Sequence, residues 1–156
     1  MVHVRSATPA DTPFLGRMGA ALARLHHEWD PGRFMLPGEL EAGYAWWLGR
    51  ELTDERAVVL VAEYQGSVVG YAYGRLEERD WNQLLDACGA FHDLYVFDDA
   101  RRHGAGRALA EALIRGLEEK GAPRIVLHTS VKNEAGQRLF ASLGWHPTMV
   151  EMTRER

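Results

Sequence analysis

The residues from Leu94 to Arg107 combine three features that suit an anion. Leu94-Tyr95-Val96-Phe97 is apolar, aromatic and β-branched, as a strand would be. Asp98-Asp99-Ala100 is a short acidic turn, and Gly104 and Gly106 then open a long amphipathic segment. A helix starting there turns unpaired backbone N–H groups and the positive end of its dipole toward the turn. Without side chains at Gly104 and Gly106, an anion can approach that backbone closely, and Arg101, Arg102 and Arg107 add positive charge around it. The chemistry this predicts is a diphosphate cradle. A P-loop needs Gly-Lys-Ser/Thr, but Arg107-Ala108 follow Gly106; a dinucleotide fold needs a third glycine where Leu109 stands.

Such a cradle needs a strand before it and a helix after it, and the rest of the pattern reads as α/β. Val2 to Ala7 alternates as a short strand. Thr8-Pro9-Ala10-Asp11 offers helix-start chemistry, and Leu15, Met18, Leu22 and Leu25 recur at helical spacing. Pro31-Gly32 and Pro37-Gly38 bracket a loop before a second helix, Leu40 to Leu52, with Tyr44, Trp47 and Leu48 on one face. Val58 to Ala62 and Val68 to Tyr73 read as a hairpin turning at Gln65-Gly66, Trp81 to Ala87 is ambiguous with a helical turn as one reading, and Phe91 to Phe97 is the strand before the cradle. Beyond it, Leu109, Leu113 and Leu117 line a helix that ends at Lys120, Gly121 and Pro123. Arg124 to Thr129 reads as a buried strand, Asn133 caps a helix that Gly144 closes, and Met149 to Thr153 alternates as a final strand.

Composition sets bounds. A chain of 156 residues that is 46% hydrophobic can bury one sizeable core, so a single domain over 1–156 is expected, with no repeat or low-complexity linker. A formal net charge of -4 argues against nucleic acid as a partner. The one cysteine, Cys88, excludes an intrachain disulfide and fits a reducing cytoplasm. No apolar run has the length of a signal or a membrane span, so no membrane partner is expected.

Arg101-x-x-Gly104-x-Gly106, starting five residues after Val96, resembles the acyl-CoA loop of the GNAT family of N-acetyltransferases. The second half of that family's signature, Asn-x-x-Ala-x-x-x-Tyr-x-x-x-Gly-Phe, is matched in kind from Asn133 to Trp145, with the alanine shifted to Ala135 and Phe140 in place of the tyrosine. The resemblance implies a mixed, mostly antiparallel sheet with a splayed central strand pair flanked by helices. It also implies acetyl-CoA as co-substrate, and no metal is expected beside it. Leu94, Tyr95, Val96 and Phe97 would pair with the pantetheine arm as a false strand. The amides of Arg102, His103, Gly104, Ala105, Gly106 and Arg107, beside Arg101, would hold the pyrophosphate; Asn133 would bond the arm, and the turn from Gln137 to Phe140 would pack on it.

Acetyl transfer to an amine requires a base for the amine, a hold on the oxyanion and a proton for the leaving thiolate. The family's glutamate, four residues before the strand-ending valine, is replaced here by His92. An imidazole titrating near ~6.5 suits that task at neutral pH. Asp93 faces the other side of a regular strand and becomes the alternative base if a bulge intervenes. Phe140 cannot donate a proton, so Tyr95, His128 or an ordered water must, or the thiolate leaves unprotonated. Cys88 lacks a matched base for a ping-pong route.

The resemblance implies that the first two helices and their loop wall the acceptor site. Between Glu28 and Glu55 stand seven carboxylates (Glu28, Asp30, Glu39, Glu41, Glu51, Asp54 and Glu55) against Arg33 and Arg50, a balance of -5. An acidic rim at Glu28 and Asp30 with an aromatic wall of Trp29, Phe34, Trp46 and Trp47 would recruit a small cationic amine. The competing reading is solvated helix faces with the aromatics in the core. The run His26-His27-Glu28 with Asp30 is not read as a metal site, because neighbouring histidines on a helix diverge. The expected activity is transfer to a small-molecule primary amine. A protein lysine or N-terminal amine acetyltransferase and a non-catalytic acyl-CoA-binding module are the alternatives, and a homodimer is left open.

Overall fold

Gln65 and Gly66, both at positive φ (51° and 79°), make the tight turn whose twist matches its flanking strands. In the computed structural model, which describes residues 1–156, that turn joins β2 (Ala57–Tyr64) to β3 (Ser67–Glu77). The other elements are β1 (His3–Ser6), α1 (Thr12–Trp29), α2 (Leu40–Glu51), β4 (Cys88–Val96), α3 (Ala105–Glu119), β5 (Ile125–Leu127) and α4 (Glu134–Ser142). The sheet runs in the order β1-β2-β3-β4-β5. Every pair is antiparallel except β4 with β5, which run parallel. No helix is long and apolar enough to cross a membrane.

Two features of β4 decide what the fold can do. It pairs with β5 only from Gly89 to Phe91, after which the strands part and one edge of β4 is left open. This is the splayed pair that the family pattern implies. In addition, Asp93 lies opposite Tyr73 while Phe91 lies opposite Gly74, so His92 is an extra residue, a β-bulge. Gly74 permits it, because a Cβ there would stand 2.6 Å from the Ala90 carbonyl oxygen.

Alternation along the strands divides the core into two layers. Leu60, Ala62, Val69, Ala72, Phe91 and Val96 pack on the stripe Ala105, Leu109, Leu113 and Leu117 of α3 and on Phe140 of α4. On the other face Val59, Val61, Tyr71 and Tyr73 pack on Leu15 and Met18 of α1 and Leu48 of α2. The two helices of that face nearly touch. A Cβ at Gly16 would stand 2.5 Å from the Glu41 carbonyl, and one at Gly19 would stand 2.4 Å from the Tyr44 ring. Gly19→Val is therefore expected to lower stability by about 1–3 kcal/mol through overpacking, read as a fall in the urea midpoint at constant m.

Two expectations fail. Residues 145–156 contain no strand, so the run Met149 to Thr153 does not extend the sheet. It is anchored by Trp145, packed on Phe91 and Phe140, and by the ion pair of Glu151 with Arg33. Pro147 cannot donate to a ladder, and Met149, Val150 and Met152 remain exposed. β5 spans three residues and is half-buried, since it is an edge strand with no further strand beyond it. Trp81 to Ala87, ambiguous in the sequence, begins with a turn. Asp80 bridges Leu85 around Leu84 at φ 50°, a reversal that feeds β4.

Candidate functional site

The loop between β4 and α3 is built from its backbone. Arg102 (φ 69°) and Gly104 (φ 83°) both take the left-handed conformation, which turns successive amides toward one concavity. None of the N–H groups from Arg102 to Arg107 has an acceptor within the protein; the first intrahelical donor is Ala108, to the Gly104 carbonyl at 3.0 Å. Buried Ala105 fixes the start of α3 in the core. A Cβ on Gly104 would meet nothing within 4 Å, and one on Gly106 only Leu139 at 3.9 Å and Val96 at 4.0 Å. Six free donors around open space suit a diphosphate.

The charges beside it divide differently from the sequence expectation. Arg101 folds back, its Nε donating to the Val96 carbonyl (3.1 Å) and its guanidinium pairing with Asp98 (2.9 Å). Arg107 ties α3 to α4 through Glu111 (3.2 Å) and the Ser142 hydroxyl (3.2 Å). His103 stacks on Tyr64 at 4.5 Å. Arg102, exposed and unpaired, is the one arginine of the three left to meet an anion.

From the cradle the open edge of β4 leads back into the fold. The Phe97 N–H donates to the Val69 carbonyl on β3 (2.9 Å). By alternation Leu94 and Val96 turn their polar groups the other way, into the gap that β5 leaves. α4 borders the cradle through Leu139. Asn133 caps α4 by accepting the Gly136 N–H (3.0 Å), while its amide donates to Thr129 (3.1 Å). The Gln137 amide donates to the carbonyls of Ser130 (3.2 Å) and Val131 (3.1 Å), and Phe140 packs edge-on against Phe91 at 5.4 Å.

At the inner end of that edge the bulge gathers the titratable groups. The His92 ring stacks on Tyr73 (5.4 Å, 18°), and Asp93 accepts the Tyr71 hydroxyl (2.9 Å). Tyr71 and Tyr73 share the face covered by α1 and α2, so the bulge brings His92 and Asp93 to one side. His92 Nε2–H donates to Glu77 (3.0 Å), and since a carboxylate only accepts, the neutral ring keeps its lone pair on Nδ1. Tyr73 in turn donates to Glu51 (2.7 Å). Burial pushes the Asp93 carboxyl above the usual carboxylate range, against the hydrogen bond from Tyr71 and the nearby His92 and His26. Burial and then the Asp93 charge raise the phenols of Tyr71 and Tyr44. Tyr95, on the same strand, has no partner for its hydroxyl; burial raises it too.

The acceptor wall is only partly as the sequence suggests. Trp29 and Phe34 meet edge-on around His26, each at 4.9 Å. Asp30 is structural, its carboxylate accepting the N–H groups of Gly32 and Arg33 (3.1 Å each). Glu28 is exposed and unpaired. Glu41 pairs with Arg24 (2.7 Å), while Glu51 and Asp54 meet Arg75 at 3.3 and 3.0 Å, so three of the seven carboxylates are matched by arginines and Glu28, Asp30, Glu39 and Glu55 are not. Trp46 is exposed beneath Arg50, and Trp47 abuts Tyr73 at 5.0 Å, so neither is core. Sequence reasoning missed Glu77, Tyr71 and the placement of His26. The alternating Tyr71 and Tyr73 signalled a shared face, whereas Glu77 could be found only from the register of β3 and β4.

A model of the acetyltransferase (GNAT) family matches residues 20–145. An uncharacterized N-acetyltransferase of Mycobacterium bovis is 32% identical over 95 residues, 60% of this chain and 56% of that protein. The N-alpha-acetyltransferase of Sulfurisphaera tokodaii is 33% identical over 104 residues, 64% of this chain and 62% of that protein. The matches thus span less than two thirds of these relatives. A protein from Bacillus halodurans superposes with a TM-score of 0.83 at 19% identity, covering 99% of both chains.

Proposed function

The chain belongs to the acetyltransferase (GNAT) family, and from that premise we propose that it is an acetyl-CoA-dependent N-acetyltransferase acting on a primary amine of a small cationic molecule. One observation carries the reading. Six unpaired amides (Arg102 to Arg107) run into an open strand edge that ends at a bulge presenting His92 and Asp93 together. The donor set fits a nucleotide thioester: diphosphate at the cradle, then the amide-bearing arm along Leu94 and Val96. Asn133, Gln137 and Phe140 flank it from α4.

Acetyl-CoA would supply the activated acetyl group. Nδ1 of His92 accepts a proton from the amine, and the Glu77 carboxylate fixes the ring and stabilises the imidazolium. The Asp93 carboxylate draws in a cationic acceptor from the side of α1 and α2. Tyr95 is the free hydroxyl of β4 and the proton donor to the departing sulfur, in place of the tyrosine that Phe140 replaces. Buried, unpaired Cys88 suits a reducing compartment, and we place the enzyme in the cytoplasm.

Incubation with acetyl-CoA and a panel of mono-, di- and polyamines tests this. Amine-dependent release of free thiol, with a matching acetylated product by mass, is expected. CoA binding without thiol release would make the chain an acyl-CoA-binding module. The Sulfurisphaera relative favours one further acceptor, a peptide N-terminal amine, which the panel should include.

A further inference from the structure

An ammonium acceptor must lose two protons to become an amide: R–NH3+ and CH3CO–SCoA give R–NH–COCH3, CoA–SH and one H+. One proton must leave before the nitrogen can attack, because an ammonium has no lone pair. The other leaves as the C–N bond replaces the C–S bond, and the sulfur keeps the bond's electron pair and gains a proton. His92 can handle one of these transfers, and the fold holds a second imidazole on the opposite wall.

Leu15, Met18 and Leu22 form the sheet-facing stripe of α1, and His26 continues it one turn further. The ring therefore lies over the sheet face that carries Tyr71 and Asp93. Its Nδ1–H donates to the Leu22 carbonyl (2.8 Å), and because a carbonyl only accepts, the lone pair of the neutral ring sits on Nε2. Trp29 and Phe34 bracket the ring, and Phe34 is itself held by His27, whose Nδ1–H donates to its carbonyl (2.8 Å). Nε2 has no partner in the protein and is not sealed from solvent, since the one buried side-chain polar atom without a partner is Nε of Arg75. The charged and titratable groups facing this space are Asp93 and His92 from β4, Tyr71 from β3 and Tyr44 from α2. A locked, half-buried imidazole with its lone pair free beside a carboxylate is equipped to take a proton from a bound cation.

We propose that His26 is a second catalytic base, whose Nε2 takes the first proton from an ammonium acceptor and passes it to solvent, so that a neutral amine meets His92. The proposal rests on the acetyltransferase reading above.

The test compares two acceptors at neutral pH: an alkyl diamine, which is protonated, and an alkoxyamine, which is already neutral. His26→Asn retains a donor toward Leu22 but has no base, and His26→Gln provides a second variant if the first does not fold; unchanged CoA affinity by calorimetry shows an intact fold. For the diamine, kcat/KM is expected to fall by about 100-fold, the usual scale of a lost general base, with partial rescue by added imidazole. For the alkoxyamine it should stay within about threefold, because no first proton remains to be removed. Equal losses for both acceptors would make His26 a packing residue, and no loss for either would also overturn the proposal. Wild-type protein that releases no thiol with either acceptor would refute the acetyltransferase reading instead.

Discussion

Gly104→Glu is expected to weaken CoA binding by at least about 100-fold, since a like charge set against phosphates costs several kcal/mol and each 1.4 kcal/mol is about tenfold. The position has φ 83° and open space around it, so the new side chain would stand in the space proposed for the diphosphate. Gly104→Ala separates strain from charge, because it carries the left-handed penalty without the carboxylate, and a loss below about tenfold is expected. Titration calorimetry with CoA reads both. Wild-type affinity in the glutamate variant would move the diphosphate away from Arg102 to Arg107.

His92→Gln is expected to lower kcat by about 10²- to 10³-fold at nearly constant KM, since the lost group acts in the transition state and not in holding the substrate. The loss should be alike for protonated and neutral amines, which distinguishes it from the selective effect expected at His26. Glu77→Gln should give a smaller fall, because it removes the charge facing the imidazolium but retains an acceptor for Nε2–H. An unaltered rate in His92→Gln would assign the role to Asp93.

Legibility in the sequence followed the range of each interaction. The shape of the loop before α3 was readable because its demands are local: a residue at positive φ, a helix start and the stripe Leu109, Leu113 and Leu117 fall within one stretch. The bulge was not readable, because it exists only relative to β3, and only the condition under which Asp93 would join His92 could be stated. The acidic rim was overcounted because its partners, Arg24 and Arg75, lie outside the segment whose charges were summed. The final strand was misread because alternation near Met149 shows what a strand would bury, not whether an edge receives it. His26 looked like half of a diverging pair. Its stripe could have been seen, since Leu15, Met18 and Leu22 lead to it, but the tautomer required the Leu22 carbonyl.

The extra residue in β4 means that the site is encoded by chain length as well as by residue identity. A chain lacking Ala90, with every other residue retained, could pair β4 to β3 as a regular ladder, yet neighbouring side chains would again point to opposite faces. The imidazole and the carboxylate would then be parted by the thickness of the sheet. Substitution scans along this strand are blind to that dependence. Single-residue deletions and compensating insertions are the variants that expose it, and homologues aligned across β4 would be compared more soundly by the count from the bulge to Val96 than by the letters at His92 and Asp93.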